Sequence, residues 1–430
     1  MTRKRLHLLL VTAGIAGGVL LCCLARYVAY PSVCSPRLPA KSSFGTSPIL
    51  DEPRIDPSFL LVPVMDGRVV YLLDLYGRSL HAWQTELPVF YAVLLPNGNL
   101  LVELITAYDK KEDALGGRTG LLQELTWDGR VVWQYRDPKL HHDIDPLPGG
   151  RVAVLRWVKV PSGIARKIRG GVPGSEREGV IWTDQIAEID RAGNTVWSWD
   201  AYRHLDPTRD QLGPLDRRRE WTHANSIQYV PDLGVVSEPS RNLRGKDGYL
   251  ISFREISTVA LLRRDTGEIV WRSPEQLFAH QHDASVLPNG NILVFDNGLH
   301  RTPGRAPWYG SAIVVIDPRS NAVVWKYNSH KDSFYGAQLY ASVVSGAQLL
   351  ANGNTLIAIG LSGHFLEVTP DRKVVWDLLN PYGSAPNAPW PRGGVFKARR
   401  YAPWEIAWPE RIGDPLPWFA KWCRRLGDSN

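Results

Sequence analysis

Asp190-Arg191-Ala192-Gly193-Asn194-Thr195-Val196-Trp197 is a short polar turn followed by a β-branched run that ends in tryptophan. Gly and Asn accept positive φ at low cost, so the phrase reads as a tight hairpin between two short strands. It recurs as Trp127-Asp128-Gly129-Arg130-Val131-Val132-Trp133 and as Asp265-Thr266-Gly267-Glu268-Ile269-Val270-Trp271. Further copies run from Asp317 to Trp325 and from Pro370 to Trp376, with a variant from Asp74 through Gly77 to Trp83. A second phrase alternates with it, an apolar strand flanking a Pro-Asn-Gly-Asn-type turn. Its copies lie at Leu95-Pro96-Asn97-Gly98-Asn99, Leu147-Pro148-Gly149-Gly150, Val230-Pro231-Asp232, Leu287-Pro288-Asn289-Gly290-Asn291 and Ala351-Asn352-Gly353-Asn354.

Trp83, Trp133, Trp197, Trp271, Trp325 and Trp376 thus mark repeating units of four short strands, the signature of propeller blades. Helical periodicity is almost absent. The expected fold is all-β, a six-bladed β-propeller over residues 58–405, with these tryptophans packed between neighbouring blades. A ring must close, because an open end leaves strand edges bare. The first phrase lacks an inner strand, and Val395-Phe396-Lys397-Ala398-Arg399-Arg400-Tyr401 supplies a spare one late in the chain. This late strand is predicted to complete the first blade. The stretches Arg166 to Gly179 and Tyr202 to Arg219 read as loops on one rim.

Ahead of the repeats, Arg3-Lys4-Arg5 precedes an apolar run from Leu8 to Leu24. Its length and flanking charge predict one N-terminal transmembrane helix, an uncleaved signal anchor within residues 1–30 whose N-terminus stays inside, with a cleaved signal peptide as the alternative. A linker (31–57) and a C-terminal tail (406–430) complete the division. Cys34 and Cys423 lie outside the apolar run and would be able to pair in an oxidising compartment. No cysteine spacing suits a structural zinc, so no metal is expected. The net charge of +7 is dispersed, without a Lys/Arg run interleaved with aromatics, which argues against nucleic acid.

Histidines recur at one place in the repeat: His141-His142-Asp143 before Leu147, His223 before Val230, and His280-Gln281-His282-Asp283 before Leu287. Each opens the strand expected to line the central channel, so these side chains should converge on the axis. Asn225, Asn297, Arg301 and, in the last blade, His364 add polar groups near them. Arginine with several imidazoles suits a tetrahedral oxyanion, and imidazole also serves as nucleophile or general acid.

Trp221-Thr222-His223-Ala224-Asn225-Ser226, Gln281-His282-Asp283, Phe295-Asp296-Asn297-Gly298 and Asn352-Gly353-Asn354-Thr355-Leu356 carry a resemblance to the bacterial arylsulfate sulfotransferases. That family is nucleotide-independent, and the likeness extends from about residue 60 to 405. The resemblance implies sulfuryl transfer from an aryl sulfate donor to a phenolic acceptor through a sulfohistidine, with ping-pong kinetics and no cofactor. It implies His364 as nucleophile, with His282 next in line, and His282 and Arg301 as the groups that neutralise the sulfuryl oxygens. His223 would be the acid for the departing phenol, while His142, His280, Asn225 and Asn297 would bind substrate. With the anchor, the expected location is the bacterial inner membrane, single-pass, with the propeller facing the periplasm or exterior. Monomer and homo-oligomer both stay open.

Two other readings compete. A membrane-tethered propeller would also serve as a non-catalytic binding or scaffold protein of the cell envelope. Asp265-Thr266-Gly267-Glu268-Ile269-Val270-Trp271 also resembles the repeat of quinoprotein dehydrogenases, although their calcium sites use carboxylates and amides where this channel offers imidazoles.

Overall fold

The structure is a computed structural model that describes residues 47–106, 115–237, 243–301, 310–328, 339–383 and 393–408. The chain forms two compact units, one of residues 1–38 with 408–430, the other Pro39–Ala407. The anchor, Cys34 and Cys423 lie outside the described residues. Among the described residues no helix is long and apolar enough to cross a membrane.

Six four-stranded antiparallel sheets make up the ring. Blade 1 contains β1 (Phe59–Pro63), β2 (Val69–Leu73) and β3 (Ser79–Gln84). Blade 2 is β4 (Val89–Leu94), β5 (Leu100–Ile105), β6 (Gly120–Leu125) and β7 (Val131–Arg136). Blade 3 is β8 (Leu140–Pro146), β9 (Val152–Lys159), β11 (Trp182–Ile189) and β12 (Thr195–Asp200), interrupted by β10 (Gly170–Val172). After β13 (Leu212–Arg217), blade 4 is β14 (Ala224–Val230), β15 (Gly248–Phe253), β16 (Thr258–Arg263) and β17 (Ile269–Arg272). Blade 5 is β18 (His282–Val286), β19 (Ile292–Asp296), β20 (Ala312–Asp317) and β21 (Ala322–Tyr327). Blade 6 is β22 (Gly346–Leu349), β23 (Thr355–Ile359), β24 (His364–Val368) and β25 (Val374–Leu379).

The late strand does complete blade 1. β26 (Arg399–Tyr401) pairs antiparallel with β1, Phe59 against Tyr401 and Leu61 against Arg399, and takes the inner position. The two stretches expected as rim loops are not wholly irregular. β10 and β13 form a small parallel pair, Gly170 against Leu212, because the two excursions from blade 3 find each other. Part of the expected linker is docked as well. Ile49 bridges to Trp376, and Asp56 N–H donates to Glu367 (2.7 Å), which covers the outer edge of blade 6.

Two sets of hydrogen bonds tie the blades together. On the outside, each marker tryptophan sits on its blade's outermost strand and donates its indole N–H to the next blade. The acceptors are Thr126 O for Trp83, Arg191 O for Trp133, Arg264 O for Trp197, Asn321 Oδ1 for Trp271 and Pro370 O for Trp325. Trp376 completes the circuit on Leu75 O (2.7 Å). On the inside, inner-strand side chains accept from the next blade's backbone: Asp143 from Ile227, Ser226 from Ala284, and Asp283 from Ala347. Gln228 accepts from Val286 and Gln348 from Arg400 in the same way. Buried backbone donors on these strands are thereby satisfied without a continuous sheet.

This register places Asp143, Ser226, Asp283, Gly346 and Lys397 at one level of the channel. Lys397, from the closing segment, reaches across the axis to Asp143 (2.8 Å) and Asp283 (3.2 Å), while Arg399 clasps Asp283 (2.5 Å). Burial opposes charge on Lys397, but Asp143, Tyr91 and Asp283 outweigh it and raise its pKa. The result is an ionic plug in the middle of the ring. Gly346 has to be glycine here, because a Cβ would overlap the Asp283 carboxylate.

Candidate functional site

One level above the plug lie His142, Asn225, His282, Ser345 and Phe396, one residue before each plug position, with Phe90 against Phe396. Phe396 packs on Phe90 (4.8 Å between centroids) and faces His142 (5.7 Å) and His282 (6.4 Å). An aromatic floor of Phe90 and Phe396 thus lies beside His142 and His282, one step above the ions. His223 and His280 come just before β14 and β18, two residues earlier than Asn225 and His282. The three histidine runs therefore all open inner strands, as expected, but they populate two levels.

The backbone is bent to achieve this. His142 (φ 58°), His223 (φ 50°) and His280 (φ 55°) are all left-handed, as is Asp283 (φ 50°). Pairing slips between His141 and Ile144, between Ala224 and Ser226, and between His282 and Ser285. Such bulges re-aim side chains at sheet ends, and left-handed non-glycine residues cost roughly 1–3 kcal/mol each.

Each imidazole has a fixed partner. His282 Nδ1 donates to Asn297 Oδ1 (2.7 Å), whose amide is itself held by Ala341 O and Val344 O. Its Nε2 accepts from Val344 N–H (3.2 Å), so both ring nitrogens are occupied. Burial, and next the charge of Arg254, push the His282 pKa well below the usual value. His142 is likewise kept neutral, by burial first and then by His223, His141, His282 and Arg254. Its Nδ1 meets His141 Nδ1 (2.9 Å), and its ring lies 4.5 Å from that of His223.

His223 Nδ1 bonds the carboxylate of Glu220, which also accepts from Gly116 N–H (2.9 Å). Burial opposes ionisation of Glu220, but His223, the Gly116 amide and Arg254 hold its pKa below the ordinary range. Gly116 and Gly117 press on the pair, since a Cβ at either would overlap His223 or His142 respectively. His280 instead joins His300 on Asp216, a residue of β13 (3.2 and 2.7 Å).

His364 opens β24, the third strand of its blade, directly after the turn Gly360–Ser362 and Gly363. The turn is joined to the inner layers through Ser345 Oγ (2.9 Å) and Val395 N–H (2.9 Å). His364 Nε2 donates to Asp377 Oδ1 (3.0 Å). Arg301 is bonded to Asp296 and to Leu277 O (3.2 Å). Asn225 spends its amide N–H on Gln281 O (2.8 Å), a bond between blades 4 and 5.

Thus His142, His223 and His282 come together, His280 joins a separate Asp216 cluster, and Arg301 and His364 are each engaged by a carboxylate of their own. Sequence reasoning missed Arg254, the cation whose charge acts on His142, His282 and Glu220. It stands just after β15 and pairs with Glu255. The one signal for it was its place at the end of a second strand, where blade 5 carries Asp296 and Asn297. Glu220 and Asp184 were missed too.

The family profile described as arylsulfotransferase (ASST) matches residues 61–375. The chain belongs to the arylsulfotransferase family. An arylsulfate sulfotransferase of Escherichia coli O6:H1 is 24% identical over 247 residues, 43% of this chain and 40% of that relative. The match therefore spans well under half of the curated relative's length. Among solved structures, a protein of unknown function from Bacteroides caccae is similar over 80% of this chain and 98% of its own, with 14% identity and a TM-score of 0.47. The WD40 propeller domain of Doa1 covers 82% of this arylsulfotransferase-family chain and 87% of itself, with 10% identity and a TM-score of 0.41.

Proposed function

We propose that this protein is an arylsulfotransferase that moves a sulfuryl group from an aryl sulfate to a phenolic acceptor through a histidine. The observation that carries this reading is the set of imidazole partners: burial keeps His142 and His282 neutral, while His223 and His364 are each tied by one nitrogen to a carboxylate. In-line sulfuryl transfer needs a neutral nitrogen nucleophile, a cation near the equatorial oxygens, and a proton for the leaving oxygen.

His364 suits the nucleophile. Asp377 fixes the Nε2–H tautomer, and the partial positive charge that grows on the ring during attack from Nδ1 is met by the carboxylate. His282 is the weaker alternative, because Val344 N–H already occupies its Nε2 lone pair. A neutral, doubly bonded His282 orients rather than neutralises, so Arg254 and Arg301 are the groups to balance the sulfuryl oxygens. His223, tied to Glu220, keeps its expected part as acid for the departing phenol. The residues 1–30 are proposed to anchor the propeller at a membrane, facing away from the cytoplasm; protease protection in intact and permeabilised cells tests this.

The deciding test is a transfer assay on the purified protein with an aryl sulfate of a coloured phenol, with and without phenol acceptor. Acceptor-stimulated release that vanishes in His364→Ala, with a sulfuryl adduct mapped to His364 by mass spectrometry, supports the assignment. Loss confined to His282→Ala moves the nucleophile. No release with any aryl sulfate overturns the reading in favour of a binding propeller.

A further inference from the structure

Behind His142 lies a buried chain of titratable groups. His141 is fully buried and stacked on Trp157 (4.2 Å). Its Nδ1 contacts His142 Nδ1 (2.9 Å), and its Nε2 faces Asp184 Oδ1 (3.4 Å). Those last two atoms are both buried and, among the described residues, neither makes a well-formed hydrogen bond; the Arg156 carbonyl and the Ala224 amide are the other groups near His141 and Asp184. The second oxygen of Asp184 accepts from Thr222, which is bonded in turn to Thr183 (2.7 Å). At the far end of the chain the Nε2 side of the His142 ring lies against Gly117, and the ring stands 4.5 Å from that of His223, beside Phe90 and Phe396.

Resting on the sulfotransferase reading, we infer that His142 is a second catalytic acid–base of the site, loaded and emptied through His141 by Asp184. With Asp184 ionised, His141 carries its proton on Nε2 and His142 on Nδ1, which leaves the His142 Nε2 lone pair available. In the acceptor half-reaction the phenol O–H bond breaks as the oxygen attacks sulfur, and the proton passes to His142 Nε2. The Nδ1 proton of His142 moves to His141 Nδ1, and the Nε2 proton of His141 moves to Asp184. The proton ends on a carboxylic acid, and each imidazole has only changed tautomer. In the donor half-reaction the same shifts run backwards and protonate the departing phenolate.

The chain suits a dry site, because at no stage does a buried imidazole keep a net charge. Groups facing it favour this. His142 is surrounded by His223, His141, His282 and Arg254, and burial holds it neutral. His141 meets His223, Glu220 and the Arg156 carbonyl, and burial lowers it to about 3. Asp184 meets Thr222, the Ala224 amide, His223 and Glu220, and burial raises it to about 7, where it exchanges a proton near neutral pH. His141 and Asp184 are positioning residues in this scheme, acting only through His142.

The test uses a series of aryl sulfates whose phenols rise in basicity, with rates of the donor half-reaction measured across pH. In His142→Asn the loss should grow along the series and reach roughly 10²–10⁴-fold for the most basic leaving group. In Asp184→Asn the wild-type fall of rate towards alkaline pH should disappear for the basic donors. Independently of turnover, ¹⁵N spectra of labelled histidines should show Nδ1–H on His142, redistributed in Asp184→Asn. A uniform loss across the series, or an unchanged tautomer in Asp184→Asn, overturns the inference while leaving the transferase intact. A wild-type protein inactive on every donor instead overturns the underlying reading, and this role with it.

Discussion

The indole N–H of Trp376 donates to the carbonyl of Leu75 across 301 residues of chain, the same bond that joins every other neighbouring pair of blades. Both groups are buried, Trp376 completely. Trp376→Phe should keep the packing and lose the bond, lowering stability by about 1 kcal/mol. Trp376→Ala should cost roughly 3–5 kcal/mol through the cavity it leaves. Urea unfolding of the two variants checks the difference.

Lys397 sits between Asp143 and Asp283 in the axis of the ring. Lys397→Met removes a buried cation and leaves carboxylates facing one another, with an expected loss of about 3–5 kcal/mol. Asp283 still has Arg399, so Asp143 is the group left exposed to the deficit. Lys397→Met with Asp143→Asn should therefore be less damaging than Lys397→Met alone, as measured by denaturant midpoints.

Glu103 is buried on β5 and accepts from Thr119 (3.3 Å); burial pushes its pKa up to about 8. Its folded pKa lies above its unfolded one, so its share of stability is present in acid and is lost as pH rises from about 4.5 to 8. Glu103→Gln should match the wild type at pH below that window and exceed it above, by an amount on the order of a few kcal/mol. Thermal unfolding across pH reads the crossover; a variant less stable at alkaline pH would contradict it.

Asp377→Asn keeps the volume beside His364 and changes the preferred tautomer. We expect turnover to fall by roughly 10²–10⁴-fold with little change in melting temperature. Steady-state kinetics beside calorimetry separates this from unfolding.

Gly117 has φ 61° and lies against His142. Gly117→Ala both strains the backbone and displaces the ring. Transfer should suffer more than stability, and a Gly117→Ala protein with full activity would show that His142 can move without consequence.

The ring was legible because its determinants repeat. Turn glycines and terminal tryptophans recur once per blade, and a missing inner strand in blade 1 had only Val395 to Tyr401 to fill it. The histidines were legible for the same reason, since they open successive inner strands. Arg254, Glu220 and Asp184 carry no such period. They reach the site from a second-strand end, a loop and a third strand of different blades, so only the folded ring brings them together. The left-handed φ of His142 and His223 was equally hidden, because neither residue advertises a turn. Docking of residues 47–57 escaped notice because Pro and Ser suggest a linker unless the edge they cover is known.

The closing strand also sets when this protein can become itself. Of the described strands β1 is the first to be synthesised and β26 the last, yet they share one sheet. Until Tyr401 has been added, the first blade has an open flank, Asp143 and Asp283 lack Lys397, and the floor beside the imidazoles lacks Phe396. Folding is therefore governed by the longest-range contacts in the chain, which makes it slow and leaves a bare strand edge in the nascent polypeptide. Active-site assembly and ring closure are a single event: a chain halted before residue 395 has most of its blades and no finished site.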